Sequence, residues 1–215
     1  MTAPRFASVV LDVDSTLCGV EGVDWLAQLR GKEIARQSAR LTERAMNGEI
    51  PIDAIYGERL NLIRPTRAEV DALSRVYRET IAADAPAAIG ALRKAGVRVV
   101  LVSGGFRRAI GPVAQDLRVD LHAVDIYWND AGEYAGFDTA SPLATQSGKL
   151  TVVRGLALPR PTLAVGDGST DAGMRGAVDE FAAFTGFVRR EAVVKVADLE
   201  IATYETLVRH VSGPA

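Results

Sequence analysis

The chain has 215 residues, 48% hydrophobic and 24% charged, a balance that suits a globular enzyme with one sizeable core and room for a small inserted unit. Its net charge is −2 and its basic residues are interleaved with acidic ones, which excludes an electrostatic footprint for nucleic acid or anionic membrane, and no run reaches the ~20 apolar residues of a transmembrane helix. The one cysteine, Cys18, excludes an internal disulfide and suits a reducing, cytoplasmic setting, while the two histidines, His122 and His210, stand in no motif and argue against a histidine nucleophile or His-rich metal site.

The first element is Ser8–Leu11 (SVVL), a β-branched run with the look of a buried strand. It ends in Asp12-Val13-Asp14-Ser15-Thr16. Two carboxylates one residue apart in a strand-to-loop turn can face one ligand, one attacking and the other handling protons. Taken alone, the same residues are equally a solvated turn. From about Val20 to Thr80 there is no strand pattern. Trp25, Leu26 and Leu29 recur at helical spacing, as do Val70, Leu73, Val76 and Tyr77, and Thr66–Glu69 after Pro65 forms a capping box. This stretch is expected to be a helical cap inserted into a core domain, with 1–18 and 82–215 forming the core and 19–81 the cap.

Asp84 is the expected N-cap of the next helix, with Pro86 near its start, Ala88, Ile89 and Leu92 facing inward, and Gly96 past its end. A second buried strand follows at 97–102 (VRVVLV) and ends in Ser103-Gly104-Gly105. A hydroxyl and exposed backbone N–H groups make a phosphate cradle, although alone this is more often a glycine-rich turn. Residues 127–138 (YWNDAGEYAGFD) place aromatics on both sides of a turn, a hairpin pattern. Lys149, in Ser147-Gly148-Lys149, can neutralise a phosphoryl group, though a lone lysine is usually a surface residue.

A third strand at 162–165 (TLAV) ends in Gly166-Asp167-Gly168-Ser169-Thr170-Asp171. Paired acids in a glycine-rich loop suit a hard cation such as Mg²⁺, and the same loop can start a helix with Ser169 or Thr170 as N-cap. Strands alternating with helices predict an α/β fold, a three-layer α/β/α doubly wound parallel sheet, with the polar strand ends meeting beyond its carboxyl edge.

The order of these parts is far more specific than any one of them. Acid pair, Ser-Gly-Gly, Lys and Gly-Asp-Gly-x-x-Asp together resemble the haloacid dehalogenase (HAD) superfamily of aspartyl-phosphate-forming phosphatases. The resemblance runs from Val10 to about Val193. It implies Asp12 as nucleophile and Asp14 as general acid/base. Ser103, Gly104 and Lys149 would hold phosphate. Mg²⁺ would bind Asp12, the backbone carbonyl of Asp14, and Asp167, with Asp171 in support.

Residues 21–24 (EGVD), 44–48 (RAMNG), 58–60 (ERL) and 134–138 (YAGFD) are similar to stretches of the branch that hydrolyses L-phosphoserine, the last step of serine biosynthesis. That branch implies Glu21 on the substrate ammonium, Met46 lining the pocket and Arg59 on the carboxylate, with Thr170 and Arg190 also on the substrate. The charges agree, since a zwitterion needs one anion and one cation. The implied partner is a small molecule, in a monomer or homodimer.

Two positions depart from the branch: Phe187 stands where Asn is expected, and Thr151 where a second lysine is usual. A phosphatase for another small metabolite, such as phosphothreonine, is an alternative. A non-catalytic aspartyl-phosphate signalling module is a weaker one, because the helical insertion would have no purpose there. Leu143 and the missing third glycine after Gly168 argue against nucleotide-binding loops.

Overall fold

The computed structural model describes residues 3–213. Strand β1 (Ser8–Leu11) is wholly buried and lies between β2 (Arg98–Phe106) and β6 (Thr162–Gly166), parallel to both. A strand buried on both faces and both edges has no use for polar side chains, which is why Ser-Val-Val-Leu is nearly continuous in apolar character. Its one hydroxyl, on Ser8, donates to the Pro159 carbonyl at 2.7 Å.

The six-stranded sheet runs β3-β2-β1-β6-β7-β8, all parallel, with β3 (Asp120–Val124), β7 (Glu180–Phe184) and β8 (Leu199–Ile201) completing it. The chain winds outward from β1 through β2 to β3, then restarts on the other side of β1 at β6. The crevice beyond the carboxyl ends of β1 and β6 is therefore the topological switch point. Leu11 pairs with Leu101 and with Val165, so Asp12 emerges level with Val102 and with Gly166 at the end of β6.

Between β1 and β2 the chain forms α1 (Gly22–Gln28), α2 (Lys32–Met46), α3 (Tyr56–Ile63) and α4 (Arg67–Glu79), then α5 (Ala85–Lys94), with no named strand among them. The segment leaves and re-enters at adjacent points. Gly19 N–H donates to the Thr80 carbonyl at 2.8 Å, Ala82 N–H to Leu17 at 2.9 Å, and Cys18 and Ile81 form an isolated antiparallel bridge.

The hairpin is β4 (Ile126–Trp128) with β5 (Tyr134–Phe137). Helices α6 (Arg107–Leu117), α7 (Gly148–Gly155), α8 (Ser169–Ala172), α9 (Glu191–Val194) and α10 (Tyr204–Ser212) complete the chain. Among the described residues no helix is long and apolar enough to cross a membrane.

Four local expectations are corrected. Strand β2 does not stop before Ser103 but continues through the glycines to Phe106. Asp84 occupies the N-cap position of α5 without capping it; its carboxylate instead accepts from Glu205 N–H at the start of α10, at 3.1 Å. Helix α1 stops at Gln28, which leaves Leu29 exposed while Leu26 stays in the core. The N-cap of α8 is Gly168, not Ser169 or Thr170, and the Asp171 carboxylate accepts its N–H at 3.0 Å.

Elsewhere local chemistry holds. Val70, Leu73 and Tyr77 of α4 are buried, and Thr66 and Glu69 close the capping box. Glu69 also takes both arms of Arg30, each at 2.7 Å, while Arg30 Nε donates to the Ile63 carbonyl at 2.7 Å. One guanidinium thus ties the end of α1 to α3 and α4. Arg30 holds the Glu69 carboxyl down at about 2, from an ordinary 4.5.

A depressed carboxylate contributes stability above its unfolded pKa and loses it as pH falls toward the folded one. Glu69→Gln is expected to destabilise the protein by about 1 kcal/mol at neutral pH, an amount limited by solvent screening of a half-exposed pair. The gap from the parent should close as pH drops from 4.5 toward about 2. Chemical denaturation at several pH values reads this directly, and a gap independent of pH would show that the charge is not its source.

Candidate active site

The loop after β1 turns sharply. Val13 O accepts from Leu17 N–H and Cys18 N–H, both at 2.9 Å, and Ser15 takes a left-handed conformation at φ 51°. This turn aims Asp12 at the sheet's carboxyl edge and sends Asp14 toward the helical segment. Asp12 meets Lys149 Nζ at 2.5 Å, and the same ammonium donates to Asp171 at 2.6 Å. Helix α7 delivers the lysine and α8 delivers Asp171. Asp167, at the end of β6, accepts from Thr16 Oγ1 at 2.8 Å and pairs with Arg190. All four ionic residues of this centre and Arg190 are buried.

The glycines here are steric necessities. A Cβ on Gly166 would strike the Asp171 carboxylate, and one on Gly148 would enter the Pro142 carbonyl. Asp12 is pushed well above the ordinary carboxylate range by burial and by Asp171, against the pull of Lys149. Burial lowers Lys149, but Asp12 and Asp171 outweigh it and the net direction is upward, so the ammonium stays charged.

Carboxylate oxygens of Asp12, Asp167 and Asp171 lie within 4.8 Å of one another, an all-oxygen donor set for a hard divalent cation. Lys149 and Arg190 already neutralise two of the three carboxylates. With all three carboxylates ionised, three negative charges less two positive leaves one, and a buried uncompensated charge is costly, a cost that raises Asp12 through burial and the repulsion of Asp171. The donor chemistry and the residual charge both fit a divalent metal.

Asp14 is held by three donors: Gly22 N–H at 2.7 Å and Tyr77 O–H at 2.8 Å on one oxygen, and Ser103 O–H at 3.2 Å on the other. Burial raises Asp14, and these donors oppose the rise. Ser103 also accepts from Gly105 N–H at 2.9 Å and is fully buried, while Gly104 lines the cavity and its carbonyl takes the Tyr56 hydroxyl at 2.7 Å.

The cavity opens from this centre toward the helical segment. Glu21, Thr42, Met46, Tyr56, Arg59 and Thr170 line it, alongside Asp12, Asp14, Asp167 and Lys149. Glu21 accepts from Ser15 O–H at 2.7 Å, and its carboxyl is pushed up to about 7 by burial and by Asp14. Arg59 is buried and pairs with Asp24 at 2.7 Å.

Arg190 is placed differently from the others. It is absent from the cavity lining, and its guanidinium lies behind Glu21, at 3.5 Å, and against Asp167. Sequence reasoning missed Tyr77, Tyr56, Ser38 and Thr42; each sits at an ordinary helical position whose polar end acquires meaning only across the fold. Phe187 rests on Gly19 and lies 5.9 Å from the Phe184 ring. Thr151 bonds back to the Ser147 carbonyl at the surface. Cys18 is buried and its thiol is pushed up by burial and the nearby aspartates, which disfavours the thiolate.

The profile of the family described as hydrolase, haloacid dehalogenase-like hydrolase, matches residues 6–179. The chain belongs to the haloacid dehalogenase-like hydrolase family. Its relatives within that family include the human phosphoserine phosphatase, 36% identical over 194 residues, which span 86% of this chain and 84% of the relative. The chloroplastic phosphoserine phosphatase of Arabidopsis thaliana is 34% identical over 209 residues, 94% of this chain and 70% of the relative. The haloacid dehalogenase-like fold is also that of a substrate-bound phosphoserine phosphatase complex, with a TM-score of 0.83 at 22% identity over 95% of this chain and 98% of the other.

The packing of Gly148 predicts a measurable cost. Gly148→Ala must push the loop at Pro142 away or tilt α7 and carry Lys149 with it. The expected loss is about 1–3 kcal/mol, the range for overpacking a close contact. Thermal unfolding should show a lowered midpoint; an unchanged midpoint would mean that the loop yields freely.

Proposed function

We propose that the protein is a Mg²⁺-dependent phosphoserine phosphatase, converting L-phosphoserine and water to L-serine and phosphate, the last step of serine biosynthesis. The observation that carries this reading is a single cavity with the Asp12–Lys149 centre at one end and Glu21 and Arg59 on its walls. The names of the human and Arabidopsis relatives support it. We read 19–81 as a cap over a core made of 1–18 and 82–215. A lone, buried cysteine supports a cytoplasmic setting, with the protein acting as a monomer or homodimer on a free metabolite.

Asp12 is the nucleophile. Its carboxylate attacks phosphorus in line, an O–P bond forms to Asp12, and the bond to the serine oxygen breaks. Asp14 gives its proton to that departing oxygen. Water, whose proton Asp14 takes, then attacks phosphorus of the phospho-Asp12 intermediate; an O–P bond to water forms, the Asp12 O–P bond breaks, phosphate leaves, and Asp12 returns as a carboxylate and Asp14 as a carboxylic acid. Lys149 holds charge on the phosphoryl group and on Asp12 throughout. Ser103 and Gly104 flank the phosphate position. When bound by Asp12, the Asp14 carbonyl and Asp167, with Asp171 beside them, Mg²⁺ supplies positive charge that offsets repulsion between phosphate and Asp12.

Asp14 takes two of its hydrogen bonds from Gly22 and Tyr77, both within the helical segment. Movement of that segment therefore moves the proton donor as well as the groups that read the substrate. Met46 and Thr170 close the cavity wall, and Arg190 braces Glu21 against Asp167.

Phosphate release from a panel tests the function. L-phosphoserine should exceed phosphoethanolamine by at least about tenfold, because the latter lacks the carboxylate that Arg59 would hold. EDTA should abolish the activity and added Mg²⁺ restore it. Equal turnover of both compounds would overturn the substrate assignment, and preference for phosphothreonine would replace it. Asp12→Asn should fold, by thermal unfolding and circular dichroism, yet retain less than about 1% of turnover, since removing a nucleophile costs several orders of magnitude.

A further inference from the structure

Arg59 does not offer its guanidinium fork to the cavity. Its Nη2 donates to Asp24 Oδ1 at 2.7 Å and to Ser38 Oγ at 3.0 Å, and its Nε reaches the same hydroxyl at 3.2 Å. A guanidinium grips a carboxylate bidentately through two neighbouring N–H groups, and both ways of doing so use Nη2. Both Nη2 hydrogens are already committed. Among the described residues only Nη1 has no protein partner, so Arg59 can hold one carboxylate oxygen and leaves the second to another donor.

Thr42 is placed to be that donor. It follows Ser38 by one turn on α2, lines the same cavity as Arg59, and is 5% exposed. Its Oγ1 is buried without a hydrogen-bond partner among the described residues. Buried hydroxyls are almost always satisfied, so an unpartnered one on a residue that lines a cavity points to a partner brought in by a ligand. In a helix a threonine can bond back to the carbonyl four residues earlier. Thr42 does not, which leaves its hydrogen without a partner among the described residues.

We propose that Thr42 is a specificity-determining residue whose hydroxyl donates to the α-carboxylate oxygen that Arg59 Nη1 does not hold. Split recognition of this kind selects phosphorylated α-amino acids over phosphorylated amines and alcohols. The inference rests on the reading of the site as one for L-phosphoserine.

The test compares Thr42→Val, which keeps the shape and removes the hydroxyl, with Thr42→Ser, which keeps the hydroxyl. Thr42→Val is expected to raise KM for L-phosphoserine about tenfold to a hundredfold, the effect of losing a hydrogen bond to a charged group, with kcat within about twofold. Kinetics on phosphoethanolamine and on p-nitrophenyl phosphate should stay within about twofold of the parent. Thr42→Ser should return KM for L-phosphoserine to near the parent value.

The unliganded Thr42→Val protein should melt no lower than the parent, because an unsatisfied hydroxyl has been removed. An unchanged KM for L-phosphoserine overturns the proposal. So does a loss of equal size on all three substrates, or a lowered melting point, either of which makes the hydroxyl structural. Failure of the parent enzyme itself on L-phosphoserine, with activity on p-nitrophenyl phosphate, overturns the functional reading instead and is read before any variant is made.

Discussion

Lys149 places a buried ammonium between the carboxylates of Asp12 and Asp171, and the architecture around it is arranged so that none of the three is left alone. Removing one partner from a buried ion pair typically costs several kcal/mol, because the remaining charge is stranded away from water. Three separate parts of the chain must therefore arrive together: the end of β1, the first turn of α7 and the first turn of α8. Gly148 lets α7 press against the loop at Pro142, and Gly166 leaves room for the Asp171 side chain. Asp167 and Arg190 extend the same charge lattice toward Glu21.

The lattice also explains why the site can be both acidic and stable. Carboxylates gathered at one strand edge would repel one another in isolation. Interleaved with an ammonium and a guanidinium, they retain a small negative excess that suits a divalent cation. The same lattice links the acidic cluster to the cavity, since Arg190 touches both Asp167 and the cavity-lining Glu21.

Much of this was legible in the sequence, and the exceptions have physical reasons. Strands β1 and β6 are continuous apolar runs because the sheet buries both their faces. Strand β7 was not anticipated because its middle is Ala182-Ala183, which carries no β-branched signal. Strand β3 opens on exposed Asp120, and β8 has only three residues, so neither shows a period. Asp84 looked like the cap of its own helix, but nothing local distinguishes that from capping α10. Asp12, Lys149, Asp167 and Asp171 could be read from motif order, whereas the hydroxyl of Tyr77 could not, because its position reads simply as one more apolar residue on the inner face of α4.

The backbone of the helical segment leaves and rejoins the sheet at one narrow neck. Gly19 and Thr80 are hydrogen-bonded, and Cys18 lies beside Ile81, so the sheet meets the insertion as though it were a short turn. Closing such a neck costs an entropy that grows only slowly with the length of chain it encloses. A segment joined this way can change in length and sequence beyond the neck while the strand ends keep their side chains in register, provided that α4 keeps its ion pairs to α6, Arg78–Asp116 and Arg108–Asp71. Lineages sharing this sheet can thus inherit one reaction and acquire new substrates piecemeal, by rewriting what lies beyond the neck.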